Sequence, residues 1–125
     1  MPDSILCDIY CRVIDNYGDA GVAWRLANSL AAELGWQVRL IIDELATLSR
    51  LAPAVDPAAA RQDAGGVAAL RWDAALEAGP PAPGDVVIEA FSCYLPEKLE
   101  ALIAARFRAG RPCAVFALDY LTAED

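Results

Sequence analysis

Cys11-Arg12-Val13-Ile14-Asp15-Asn16-Tyr17-Gly18-Asp19-Ala20-Gly21-Val22-Ala23-Trp24-Arg25-Leu26 is the stretch on which the fold turns. It reads as the end of an apolar strand, a tight loop with two carboxylates and two glycines, and the start of a helix. In an open α/β sheet, ligands bind in the loops at the carboxyl ends of the strands. This loop is acidic, so it suits a cation or a base rather than a phosphate. Gly18 and Gly21 fit neither GxGxxG nor GxxxxGK[ST], and two carboxylates beside them repel a phosphate. Gly18 is expected to permit a positive φ, and Gly21 to let the helix approach a backbone or ligand closely.

Working outward, residues 4–14 form a mostly buried first strand rich in Ile, Leu, Val and Cys. Val22, Leu26, Leu30 and Leu34 recur at helical spacing over residues 21–34, and Gly35 stops the helix. Residues 37–42 make the second strand, and 43–51 a short helix ended by Pro53. Residues 53–66 read as a poorly patterned connection with room for one helical turn, and 67–72 as a third strand. The proline-rich run 79–84 is a loop. A strong buried strand follows at 85–91, a helix at 96–109 with Pro first and Gly110 after it, and a fifth strand at 112–118. The alternation predicts an α/β fold: one Rossmann-like parallel sheet with helices on both faces. Because the chain stops just after a strand, it reads as the amino-terminal piece of something larger.

The 125 residues suit one domain, and 57% apolar residues supply a core. A net charge of −8 argues against nucleic acid, which needs clustered Lys and Arg, and favours a cationic or basic-protein partner. Histidine is absent, which removes the commonest general base and zinc ligand. The four cysteines form no CxxC pair and read as buried thiols of a reducing cytoplasm. No signal peptide opens the chain, and no apolar run is long enough to span a membrane.

Nearly every expected strand ends in acid: Asp15 and Asp19, then Asp43 and Glu44, Asp73, Glu89 and Asp119. A parallel sheet gathers these ends into one negatively charged rim. The structural explanation is respectable, since Asp19 is placed as an N-cap, Asp15-Asn16 suits an Asx turn, and acids collect at helix starts. One N-cap, however, leaves Asp15 unexplained. A response-regulator-like receiver domain shares this length and an acidic edge, with Asp73 as its phosphoacceptor, but Asp119 stands where that fold needs a Lys. It remains, with a protein-interaction module, the non-catalytic alternative. Trp24 is expected in the core, Trp36 as a partly exposed anchor, and Ser92-Cys93 lacks the base that a nucleophile needs.

Three blocks carry a family resemblance: residues 11–43 with DNYGDxGVxWRL, DVVIEAFSCYLPE at 85–97, and LDYLTAED at 118–125. Together they resemble the elongation factor P arginine rhamnosyltransferases, whose polypeptides are considerably longer. The resemblance implies the amino-terminal half of a GT-B glycosyltransferase, with residues 1–125 as its Rossmann-like, acceptor-binding domain. The reaction it implies is inverting transfer of L-rhamnose from dTDP-β-L-rhamnose to an arginine of elongation factor P, without a metal or other cofactor. The donor would sit mainly on a carboxy-terminal domain absent from this chain, so the chain alone is expected to transfer nothing. The family's two loop aspartates match Asp15 and Asp19. The expected acceptor-binding residues are Asn16, Tyr17, Gly18, Gly21, Glu89, Phe91, Asp119 and Tyr120. Two positions depart from the pattern: Asp119 replaces a usual Glu, and Ala20 a usual Ile.

The chemistry fits the residues. A guanidinium has a pKa above about 12 and delocalised lone pairs, so it is a poor nucleophile. Two carboxylates can localise its charge away from the attacking nitrogen, and one can take the proton. Asp19 is assigned as base and Asp15 as orienter.

Overall fold

The structure, a computed structural model, describes residues 4–13, 17–91 and 93–118. Its elements run β1 (Leu6–Cys11), α1 (Tyr17–Leu34), β2 (Gln37–Ile42), α2 (Leu45–Leu51), β3 (Arg61–Ala64), β4 (Val67–Arg71), α3 (Ala74–Ala78), β5 (Val86–Ala90), α4 (Glu97–Arg108) and β6 (Ala114–Leu118). They build one six-stranded sheet in the order β3-β4-β2-β1-β5-β6. All pairings are parallel except that of β3 with β4.

Strand alternation sorts the core into two layers. On β1, Cys7, Ile9 and Cys11 face α1 and α2, where they meet Ala20, Ala23, Ala27, Leu45 and Leu48. Tyr10 faces the other side and packs with Trp72, Leu76, Leu99 and Ile103 beneath α3 and α4. Ala20, fully buried, therefore acts through packing. Trp36 packs half-buried against the first layer, as expected of a partly exposed anchor, and Trp24, expected in the core, is likewise only half-buried against it.

Counting only parallel strands in chain order, the sheet reads 3-2-1-4-5. That is the Rossmann order, whereas a receiver domain has 2-1-3-4-5. The receiver alternative fails on topology. The order also fixes a switch point: the chain leaves β1 toward β2 on one side and β5 toward β6 on the other, so the crevice between their carboxyl ends is where ligands belong.

Three expectations need correction. The supposed connection at 53–66 contains β3, which forms a hairpin with β4 through Gly65-Gly66, at φ +62° and +95°. A two-residue Gly-Gly turn with both φ positive is what a type I′ hairpin requires, so the signal was present in the sequence. The structure also adds a helix, α3, between β4 and the proline-rich loop; Asp73 caps it, accepting from the Leu76 N–H at 3.0 Å. Finally, α1 starts at Tyr17 rather than at residue 21.

The proline-rich loop before β5 is held by charge. Asp8, fully buried on β1, accepts from Arg39 Nε at 2.5 Å, Arg39 Nη2 at 2.8 Å and the Gly84 N–H at 2.8 Å. Arg39 also donates to the Ala82 carbonyl, and Arg106 to those of Pro83 and Gly84. Gly84 is obligatory here, since a Cβ would lie 2.5 Å from the Leu6 carbonyl oxygen. At the other edge β6 is almost wholly exposed, with Val115 and Phe116 open to solvent.

All four cysteines are free and buried. Burial, first of all, pushes the thiols of Cys7, Cys11 and Cys93 from about 9 up to about 12, assisted by the charges of Asp8, Asp19 and Glu89 respectively. Such thiols are inert, which removes Cys93 as a nucleophile. They also make stability depend on pH. Between about pH 9 and 12 the unfolded chain has released protons that the native chain still holds, so stability falls with rising pH. The urea midpoint should decline steadily above about pH 9, and Cys11→Ala should flatten that decline. A midpoint unchanged up to pH 11 would contradict the burial of these thiols.

Candidate functional site

Two carboxyl ends define the site. At the first, β1 hands over to the loop that leads into α1. Asp19 and Gly18 lie within the first turn of α1, and Asp19 is half-buried. Asp19 is therefore not an N-cap, as the sequence pattern suggested, but an acid inside the turn where the helix macrodipole favours negative charge. Its carbonyl accepts from the Cys11 thiol at 3.9 Å, which seats the helix start over the end of β1. Gly18 is helical, so its expected positive φ is not seen. Gly21 leaves room for a methyl, whose nearest neighbours, Arg25 Nη1 and Leu51 Cδ1, would lie at 3.8 Å. Among the described residues, no close approach of backbone explains it. Tyr17 opens the helix. Asp15, Asn16, Asp119 and Tyr120 lie outside the described residues, as does Ser92.

At the second end, the chain leaves β5 through a strained corner. Phe91 has φ +55° and Tyr94 φ +56°, conformations that bulky residues adopt at a cost of about 1–3 kcal/mol each. Phe91 packs against the α1 side and donates its N–H to the Leu118 carbonyl at 2.7 Å, tying the corner to the end of β6. Tyr94 projects into solvent, 78% exposed. Glu89 lies one residue inside the strand, half-buried, in register with Tyr10 of β1 and Ala117 of β6. It thus faces the α3–α4 layer rather than capping the rim.

The two ends are joined by Arg12, a residue that pattern reading left unassigned. Its Nη2 donates to Glu77 Oε2 at 2.8 Å, its Nε to the Cys93 carbonyl at 3.3 Å, and its guanidinium lies 4.0 Å over the Trp72 ring. Trp72 Nε1 donates to the same Glu77 oxygen, and Tyr10 meets Trp72 edge-on with centroids 5.2 Å apart. The Cys93 thiol donates to the Tyr10 carbonyl at 3.3 Å. These partners lie 60 to 83 positions apart in sequence, 12 against 72, 77 and 93, and 10 against 93, so no local periodicity reveals them.

The acidic rim is less free than the sequence implies. Asp43 accepts the Val13 N–H at 2.8 Å. Asp73 caps α3 and pairs with Arg71 at 3.3 Å; the Leu76 N–H foremost, then Arg71, holds its carboxyl below the usual range. A phosphoacceptor role for Asp73 is at odds with that capping. Glu44 accepts from the Thr47 hydroxyl. Asp19, in the first turn of α1, is the described carboxylate that lies beside the end of β1.

A family model described as Elongation-Factor P (EF-P) rhamnosyltransferase EarP matches residues 7–125. The chain belongs to the EarP family. Protein-arginine rhamnosyltransferases of Pseudomonas aeruginosa and Pseudomonas putida are each 47% identical over 118 residues, covering 94% of this chain and 30% of the relative. That of Neisseria meningitidis serogroup B is 44% identical over 123 residues, again covering 30% of the relative. The chain thus spans about 30% of the length of the curated relatives it matches. EarP membership bears out the family resemblance carried by the three sequence blocks. It also puts the switch-point crevice, with Asp19 and Phe91, inside the matched segment. Among the described residues, no helix is long and apolar enough to cross a membrane.

Proposed function

We propose that this chain is the acceptor-binding, Rossmann-like domain of a cytoplasmic protein-arginine rhamnosyltransferase of the GT-B type. The reaction is inverting transfer of L-rhamnose from dTDP-β-L-rhamnose to an arginine of elongation factor P. The observation that carries this reading is the coincidence of the EarP match with a carboxylate at the Rossmann switch point: Asp19, in the first turn of α1, beside the end of β1.

In this mechanism Asp15 and Asp19 hydrogen-bond the acceptor guanidinium and hold its positive charge on the nitrogens that do not react. The remaining nitrogen attacks the anomeric carbon of rhamnose. Its C–O bond to the nucleotide breaks, dTDP leaves with the electron pair, and Asp19 takes the proton from nitrogen. Asn16, Tyr17, Gly18, Gly21, Glu89, Phe91, Asp119 and Tyr120 are the proposed surroundings of the acceptor, and no metal is assigned a part. The donor is held mainly by a second domain, so bringing donor and acceptor together is work for a polypeptide of full family length.

The test uses an enzyme of full family length that carries this sequence. Incubated with elongation factor P and dTDP-β-L-rhamnose, it should add one deoxyhexose to the factor, seen by intact mass. The addition should vanish when the acceptor arginine is replaced by alanine. In parallel, titrating the 125-residue chain with unmodified factor should shift the amide signals of Gly18, Asp19 and Gly21. Transfer to a residue other than arginine would overturn the reading.

A further inference from the structure

We infer that Arg12 is a positioning residue that locks the two walls of the switch-point crevice to each other. The inference rests on the transferase reading above and extends it to a residue outside the proposed acceptor-binding set.

Arg12 is the first residue after β1, three positions before Asp15. Its side chain reaches three separate segments at once: Glu77 on α3, Trp72 after β4, and the Cys93 carbonyl after β5. The next residue, Val13, is pinned through its N–H by Asp43 Oδ1. Two consecutive residues are thus fixed by separate partners, Arg12 through its side chain and Val13 through its N–H, just after the end of β1. The same guanidinium fixes the Cys93 carbonyl between Phe91 and Tyr94, the two residues held at positive φ. The Cys93 thiol adds a second tie, to the Tyr10 carbonyl. An unclamped corner with two strained bulky residues relaxes toward ordinary φ, so something must over-determine it.

The value of the clamp is placement rather than stability. Arg12 and Glu77 are 38% and 40% exposed, and ion pairs so open to water contribute little to folding. A guanidinium is nevertheless the group that fits, because its planar fork stacks on an indole while donating in two directions. Lysine keeps the charge but supplies a point donor that cannot hold three partners at fixed angles.

Two measurements test this. In an enzyme of full family length carrying this sequence, Arg12→Lys should lower kcat about 10- to 100-fold, as expected for a misplacement near 1 Å, with KM for the sugar donor unchanged. Arg71→Lys, which alters a neighbouring surface pair, should leave activity as it was. In the 125-residue chain, Arg12→Lys should speed amide exchange at Val13, Gly18, Phe91, Cys93 and Tyr94 while β2 and β4 stay protected. Undiminished kcat, or exchange that rises evenly across the sheet, would overturn the inference. If the unsubstituted enzyme transfers no sugar, the transferase reading falls, and the exchange pattern still decides whether Arg12 is a clamp.

Discussion

Replacing Asp19 by Asn in an enzyme of full family length should lower the rate of rhamnose transfer by about 10²- to 10⁴-fold, the range expected when a general base is removed. Asn keeps the size and one acceptor oxygen but cannot take the proton that, in the proposed mechanism, the guanidinium nitrogen loses as the bond to rhamnose forms. Asp15→Asn should have a loss of similar order, for a different reason: without its charge, the positive charge of the acceptor is no longer drawn away from the attacking nitrogen. Neither change should harm the fold. Asp19 lies in the first turn of α1, where losing a negative charge costs about 0.3–1 kcal/mol through the helix macrodipole. Single-turnover kinetics at saturating acceptor, set beside thermal unfolding, separates the two effects. If both Asn variants retain near-normal rates, the carboxylate mechanism is wrong. If Asp19→Asn is slow while Asp15→Asn is not, proton removal matters and charge localisation does not.

What the sequence disclosed follows from which forces are local. Residues 37–42 read as a strand because their apolar run is short, β-branched and bounded by Gly35, which the structure shows at φ +70°. The helix at 97–108 was legible from Pro96 at its start and from Gly110, at φ +76°, beyond its end. Both signals act within a few residues. The start of α1 was misplaced because Gly18 and Asp19 favour turns and caps when judged alone, whereas here they enter the helix that packs Ala20, Ala23 and Ala27 onto β1 and β2. Reading the first strand from its Ile, Leu, Val and Cys left Asp8 without a role, although it sits within the strand with no exposure. The acid count at the strand ends overstated the freedom of that edge, since Asp43 and Asp73 are spent on backbone N–H groups. The Arg12 cluster stayed hidden because its partners come together only once the sheet is ordered.

Asp8 provides the opposite signature to Asp19, on the same strand–helix unit. Its carboxylate has no contact with solvent and takes three hydrogen bonds, two from Arg39 and one from the Gly84 N–H. Removing one member of a buried ion pair strands the other charge and costs about 3–5 kcal/mol, a large part of the roughly 5–15 kcal/mol that holds a domain together. Asp8→Ala should therefore leave the 125-residue chain at the margin of folding, with Arg39 and the Gly84 N–H both deprived of their partner. The Asp8→Ala, Arg39→Ala double variant should cost less than the sum of the two single changes, because the second substitution removes the stranded charge. Urea unfolding of the four species measures that coupling, and strictly additive losses would mean that the pair contributes nothing as a pair. The expected effect is confined to stability. Asp8 pairs in register with Arg39 and Val87, one residue in from the proline-rich loop that enters β5, whereas the chemistry is assigned to the carboxyl ends of β1 and β5. At a temperature where enough of the Asp8 variant stays folded, transfer per folded molecule in an enzyme of full family length should match that of the unsubstituted enzyme. Asp19→Asn should show the reverse, full folding without turnover. A chain in which these two aspartates gave the same pattern would have its chemistry somewhere other than the switch point.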